Sequence, residues 1–161
     1  MNGQSLKNAR DSWSAGDAAG AAQLIIVQLE REEVGRLAVS IMQFITDIGG
    51  WSCQAVNDLA EHAAHFESWH HCHDAFDSLR RYSLDLVETP VPAQGAAERI
   101  HCRIVIAMME NIAALLYNST DPDDPFDEDR AEGLFVQLFR YTNLLGRDAE
   151  RRAWQAIAST I

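Results

Sequence analysis

Apolar side chains recur every three to four positions along most of this chain, and no stretch sustains an alternation of period two. The first pattern predicts α-helix and the second would have predicted strand, so the sequence reads as all-α. A first helix is expected over about 5–14, with Leu6, Ala9 and Trp13 on one side. Gly16 should end it, and Asp17 is placed to cap the next. From Ala18 onward Ala21, Leu24, Ile25, Gln28 and Leu29 form an inward stripe. Val34, Leu37, Ala38, Ile41, Phe44, Ile45 and Ile48 extend the same period to Gly49-Gly50. The charged patch Glu30-Arg31-Glu32-Glu33 lies across this run, and periodicity alone leaves open whether it makes one helix or two.

After Gly49-Gly50, Ser52 can cap a segment that reads as helix to about Val87. A single rod of that length would span roughly 50 Å, too long for a compact domain of this size. A break is therefore expected inside Trp69-His70-His71-Cys72-His73, with Asp74 capping its far side. Thr89-Pro90-Val91-Pro92 predicts a loop, because proline restricts itself and the residue before it. A strongly apolar helix follows over about 95–118. Ile100, Ile104, Ala107, Met108, Asn111 and Leu115 lie on one side, and Cys102, Ile106, Met109, Ala113 and Leu116 on another. A helix apolar around most of its girth belongs in the centre of a domain.

Asp121-Pro122-Asp123-Asp124-Pro125 predicts a second loop, with Pro125 suited to a first helical turn. The next helix carries Leu134, Phe135, Leu138, Phe139, Tyr141 and Leu145 to a stop at Gly146. A last one, about 148–159, buries Ala149, Ala153, Trp154 and Ile157. The expected architecture is a single-domain helical bundle over 1–161, six to eight helices built from αα-hairpins. The hairpin 8–28 resembles one tetratricopeptide unit in the placing of Ala9, Gly16-Asp17 and Ala21. No second copy follows at the spacing that such repeats need, so it is read as an αα-hairpin.

Charge narrows the partners. The 161 residues hold 24 acidic and 13 basic side chains, a formal charge of −11. Lys7 is the one lysine, and the twelve arginines are scattered along the sequence. Nucleic acids and anionic membranes are bound through clustered Lys and Arg, so neither is an expected partner; a basic protein is. No apolar leader follows Met1, and 104–117 is too short and too interrupted to span a bilayer. Three cysteines, Cys53, Cys72 and Cys102, argue against a disulfide framework and for reduced thiols in a cytoplasm. The sequon Asn118-Ser119-Thr120 then carries no meaning.

Five of the six histidines, His62, His65, His70, His71 and His73, fall close together with Cys72 among them. Imidazole and thiolate are preferred donors for zinc and iron. Two segments also fit Glu-x-x-His, Glu67 with His70 and Glu98 with His101, the motif that di-iron bundles use twice. A site of Glu67, His70, His73, Glu98 and His101 is the metal reading. In its way, the two motifs fall on neighbouring helices, and no further Glu pair completes the bundle pattern. The plainer reading makes His62, His70 and His101 half-buried polar residues beside Phe66, Trp69 and Val105.

The acid-rich stretch 121–132 holds most of the net charge. It mimics the ligand spacing of a calcium loop, but Phe126 stands where such loops need glycine. Asp121, Asp123, Asp124, Asp127, Glu128 and Asp129 are instead read as a docking patch for a cationic partner, against a merely solvated loop. Adjacent His71, Cys72 and His73 point apart on a helix and make no triad, and Gly49-Gly50 is no phosphate cradle. The sequence thus leans away from an enzyme. It favours a small acidic helical protein-binding module, an adaptor or an inhibitor, with an immunity-type inhibitor of a basic nuclease as one form. A helical metalloprotein holding zinc or iron around 62–73 and 98–102 is the alternative, and a homodimer joined by an apolar helix face is the third.

Overall fold

A computed structural model describes residues 2–48, Glu61, 96–120 and 128–161. The expected helices over 52–87, the break near His70, and the two proline loops lie outside the described residues. Within them the chain is helical with no strand. The helices are α1 (Gly3–Ser14), α2 (Ala18–Ile26), α3 (Arg31–Asp47), α4 (Ala96–Thr120), α5 (Glu128–Leu145) and α6 (Arg147–Thr160). The helix periodicity of the sequence is realised as an all-α bundle.

Local chemistry sets the ends of these helices. The Asn2 side chain accepts the Ser5 amide at 2.9 Å and so caps α1 two residues earlier than the apolar pattern suggested. At the other end Gly16 takes φ +88°, a left-handed conformation that costs a residue with a Cβ about 1–2 kcal/mol. The Gly16 amide donates to the Trp13 carbonyl and the Asp17 amide to that of Ser12, the paired bonds of a Schellman stop. Asp17 then turns its carboxylate to the Gly20 amide at 2.9 Å, as a helix-capping aspartate should.

The run from Ala18 to Ile48 is two helices. α2 tightens at its end, where the Gln28 and Leu29 amides reach the carbonyls of Ile25 and Ile26. Glu30 is extended, and its amide donates to the Glu33 carboxylate at 2.8 Å. The charged patch is thus the start signal of α3, an acidic capping arrangement at a positive helix end. One consequence corrects the sequence reading. Gln28 was placed on the inward stripe, but the helix stops before it and Gln28 is exposed. The buried face of α2 is Ala18, Ala21, Ala22, Ile25 and Ile26.

Pair contacts fix the arrangement. α4 packs on α3 and α5, and α6 packs on α3 and α5, so these four close a ring. Ser40 donates to the Ala156 carbonyl and Arg152 stands over the Phe44 ring, which makes α3 and α6 antiparallel. Arg31 reaches the Asn118 carbonyl, which does the same for α3 and α4. Along α4 and α5, His101 meets Tyr141 and Asn111 meets Gly133, again antiparallel. A Cβ on Gly133 would come within 3.1 Å of the Asn111 amide nitrogen, so glycine sets how closely these two helices approach. The hairpin of α1 and α2 is laid onto α5 through α2.

The core inside the ring contains Leu37, Ile41, Ile45, Met108, Ile112, Leu134, Leu138 and Ile157. α4 is one member of that ring, with Cys102 a buried small hydrophobe on it. Two apolar residues depart from their expected burial. Ile100 near the start of α4 and Leu145 at the end of α5 are both exposed, and the antiparallel pairing puts them at the same end of the bundle. At the opposite end of α4 the sequon is helical, and Asn118 and Ser119 are buried, with the Ser119 hydroxyl donating to the Leu116 carbonyl.

Trp13 locks α1 onto the rest. Its ring meets Phe139 edge-on at 5.1 Å and Phe135 at 6.2 Å, and lies tilted to Trp154 at 6.0 Å. It is 1% exposed, and its indole nitrogen has no hydrogen-bond partner among the described residues. Replacing Trp13 by alanine should cost about 3–5 kcal/mol in urea denaturation, since the cavity cannot collapse between three helices. Trp13→Phe keeps an aromatic body and removes an unpaired donor, so it should cost clearly less. Equal losses in the two variants would show that the indole N–H is bonded after all.

Candidate functional site

The C-terminal end of α2 lies beside the first turn of α5, because the two helices run antiparallel. Gln23 Nε2 donates to Glu132 Oε1 at 2.6 Å and ties the helices together there. Ile26 closes the buried face of α2, and Val27 follows it at the C-cap, 80% exposed. The result is a pocket of about 380 Å³ lined by Gln23, Leu24, Ile26, Val27, Glu128 and Glu132. Its α2 side is largely aliphatic and two carboxylates stand on its α5 side. Such a pocket suits a long side chain with an apolar stem and a cationic head, a lysine or an arginine.

Glu128 and Asp129 occupy the first turn of α5, where the helix dipole favours negative charge. Both are exposed, as the docking reading requires, and so is the solvated alternative. Asp121, Asp123, Asp124 and Asp127 lie outside the described residues. The apolar half of the pocket escaped the sequence reading because Val27 falls off the inward stripe of α2. An apolar residue out of phase with its helix, just before an end signal, was the trace available.

The proposed metal ligands divide in the same way. Glu67, His70 and His73 lie outside the described residues, while the backbones of Glu98 and His101 are on α4. His101 is half-buried, with its ring edge-on to Tyr141 at a centroid distance of 6.0 Å. Among the described residues no three His, Cys, Asp or Glu side chains gather where an ion could sit. No helix among them is long and apolar enough to cross a membrane.

Beside His101, burial pushes the Tyr141 phenol above its ordinary value of 10.0, and the neighbouring Cys102 acts in the same sense. The folded state therefore holds this proton more tightly than the unfolded chain does. Its contribution to stability is complete below the unfolded value and is lost as pH rises through the folded one. Urea denaturation between about pH 8 and 11 should show stability falling more steeply for the wild type than for Tyr141→Phe, which has nothing to titrate there. Parallel curves would mean that the phenol ionises without strain in the fold.

No protein-family model matches the chain, and neither a curated protein nor a solved structure is significantly similar to it.

Proposed function

We propose that this protein is a binding module that captures a basic protein partner through the acidic pocket between α2 and α5. The observation that carries the reading is Val27, exposed beside Glu128 and Glu132 at the mouth of that pocket. A solvated acidic turn has no use for an aliphatic wall, whereas a docked arginine or lysine uses both sides. The formal charge of −11 adds a long-range field that draws a cationic partner in and speeds encounter. An adaptor and an inhibitor share this surface; an immunity-type inhibitor of a basic nuclease is the inhibitory form, an analogy of electrostatics alone.

A fluorescent peptide of alternating arginine and leucine serves as the probe. Glu128→Gln with Glu132→Gln should weaken its binding about fivefold and flatten its salt dependence, since both carboxylates that would pair with the bound cation are neutralised. Val27→Ser should weaken binding while leaving the salt dependence in place. Glutamine at 132 keeps an oxygen to accept from Gln23, and Val27 and Glu128 are exposed, so circular dichroism should be unchanged. Unaltered affinity and salt response in the double Gln variant would remove the pocket from the partner's path.

A further inference from the structure

Three of the twelve arginines, far apart in the sequence, come together in space. α1 and α6 form the walls of a second, larger groove of about 930 Å³. On α1 it is lined by Gly3, Leu6, Lys7, Arg10, Trp13 and Ser14, and on α6 by the stripe from Arg147 to Ala158 that includes Glu150, Arg151 and Trp154. The α1 positions step by three and four, the spacing of one helix face, and the α6 positions do the same. Both walls therefore run along their helices for about 16 Å.

The groove carries Lys7, the chain's single lysine, with Arg10, Arg147 and Arg151, against Glu150 alone among its lining acids. Arg151 is held by Asp148 at 2.7 Å, at an exposed site where such a pair is weak. Lys7, Arg10 and Arg147 make no hydrogen bond or ion pair among the described residues. Between these cations lie the half-buried Leu6 and Ala158, over the buried indoles of Trp13 and Trp154. A cationic rim over an apolar strip, on a molecule of opposite overall sign, has a complementary partner of defined chemistry.

We infer that the groove between α1 and α6 receives an acidic amphipathic helix of a partner protein. Two parallel stripes of helical spacing form the cradle that a third helix fills with its own i, i+3, i+4 and i+7 residues. Its apolar face seats on Leu6 and Ala158, with the buried indoles of Trp13 and Trp154 beneath them, and its flanking carboxylates meet Lys7, Arg10 and Arg147. A nucleic acid fits less well. Both indoles are buried, so no ring face is offered for a base to stack on, and the net charge repels a dense polyanion. A helix with a few carboxylates pairs at short range, inside the roughly 8 Å over which salt leaves such contacts effective. This surface is independent of the acidic pocket and opposite to it in sign, so either can fail without the other.

The probe is a fluorescein-labelled peptide of three heptads with leucine at a and d and glutamate flanking them. Two controls accompany it: the same peptide with lysine for glutamate, and a twenty-residue oligothymidine. The acidic peptide should bind saturably, gain helicity on binding, and lose roughly tenfold or more in affinity to Arg10→Glu with Arg147→Glu. Ala158→Arg, which fills the apolar strip from an intermediate surface position, should also abolish binding while adding positive charge. That second variant separates a seated helix from simple charge attraction. Saturable binding of oligothymidine in place of the acidic peptide would overturn the inference. So would binding of the acidic peptide that neither variant alters, or a failure of the acidic peptide to bind while wild-type circular dichroism is intact.

Discussion

Helix α5 has to satisfy three neighbours at once, and the rest of the arrangement follows from how it does so. α2, α4 and α6 all pack on it. Its buried residues Ala131, Leu134, Phe135, Leu138, Tyr141 and Thr142 cover a face wider than a single helix contact needs. Glycine at position 133 lets α4 come close, and Phe135 with Phe139 presents aromatic edges to Trp13. A helix used on so many sides cannot slide or rotate to relieve a misfit at any one of them, because interiors at this density have no room to rearrange. It therefore fixes where both of its ends point, and both candidate surfaces refer back to it.

The acidic pocket is one such end. The carboxylates of Glu128 and Glu132 are helped there by the dipole of α5, and the apolar side is supplied by Leu24, Ile26 and Val27 at the end of α2. The groove between α1 and α6 arises from the same geometry at a different place. Both helices lean on the aromatic cluster of Trp13, Phe135, Phe139 and Trp154, and above that cluster their facing stripes stay apart. The two surfaces have opposite sign and similar construction, an aliphatic or aromatic strip edged by charge. The partners proposed for the two surfaces are of opposite charge, which would keep one from being taken for the other.

Much of this was legible in the sequence. The period of three to four placed Trp13, Ile25, Ile41, Leu138 and Ile157 inside, and they are inside, because a helix of fixed pitch leaves little choice about which face an apolar stripe occupies. Turn chemistry was equally local. Gly16 followed by Asp17 spelled a stop and a start, and the bonds that realise them span only a few residues. Where the reading slipped, the error lay at helix ends. Gln28 lies past the end of α2, while Ile100 and Leu145 fit the period of their helices, yet burial at a helix end depends on whether another helix still runs alongside, which periodicity does not encode.

The sequence by itself thus determined the helical class, the inward faces, the caps near Asp17 and the negative overall charge, since each depends on neighbours within about one turn of the chain or on a simple count. Only the tertiary structure decided that Glu30 to Glu33 begin a helix lying against α4 and α6, and that Val27 opens beside Glu128. It alone gathered Lys7, Arg10, Arg147 and Arg151 onto one groove, though more than 130 positions separate the first two from the others. The reason is that electrostatic complementarity belongs to surfaces, and a surface is made by helices brought together from distant parts of the chain.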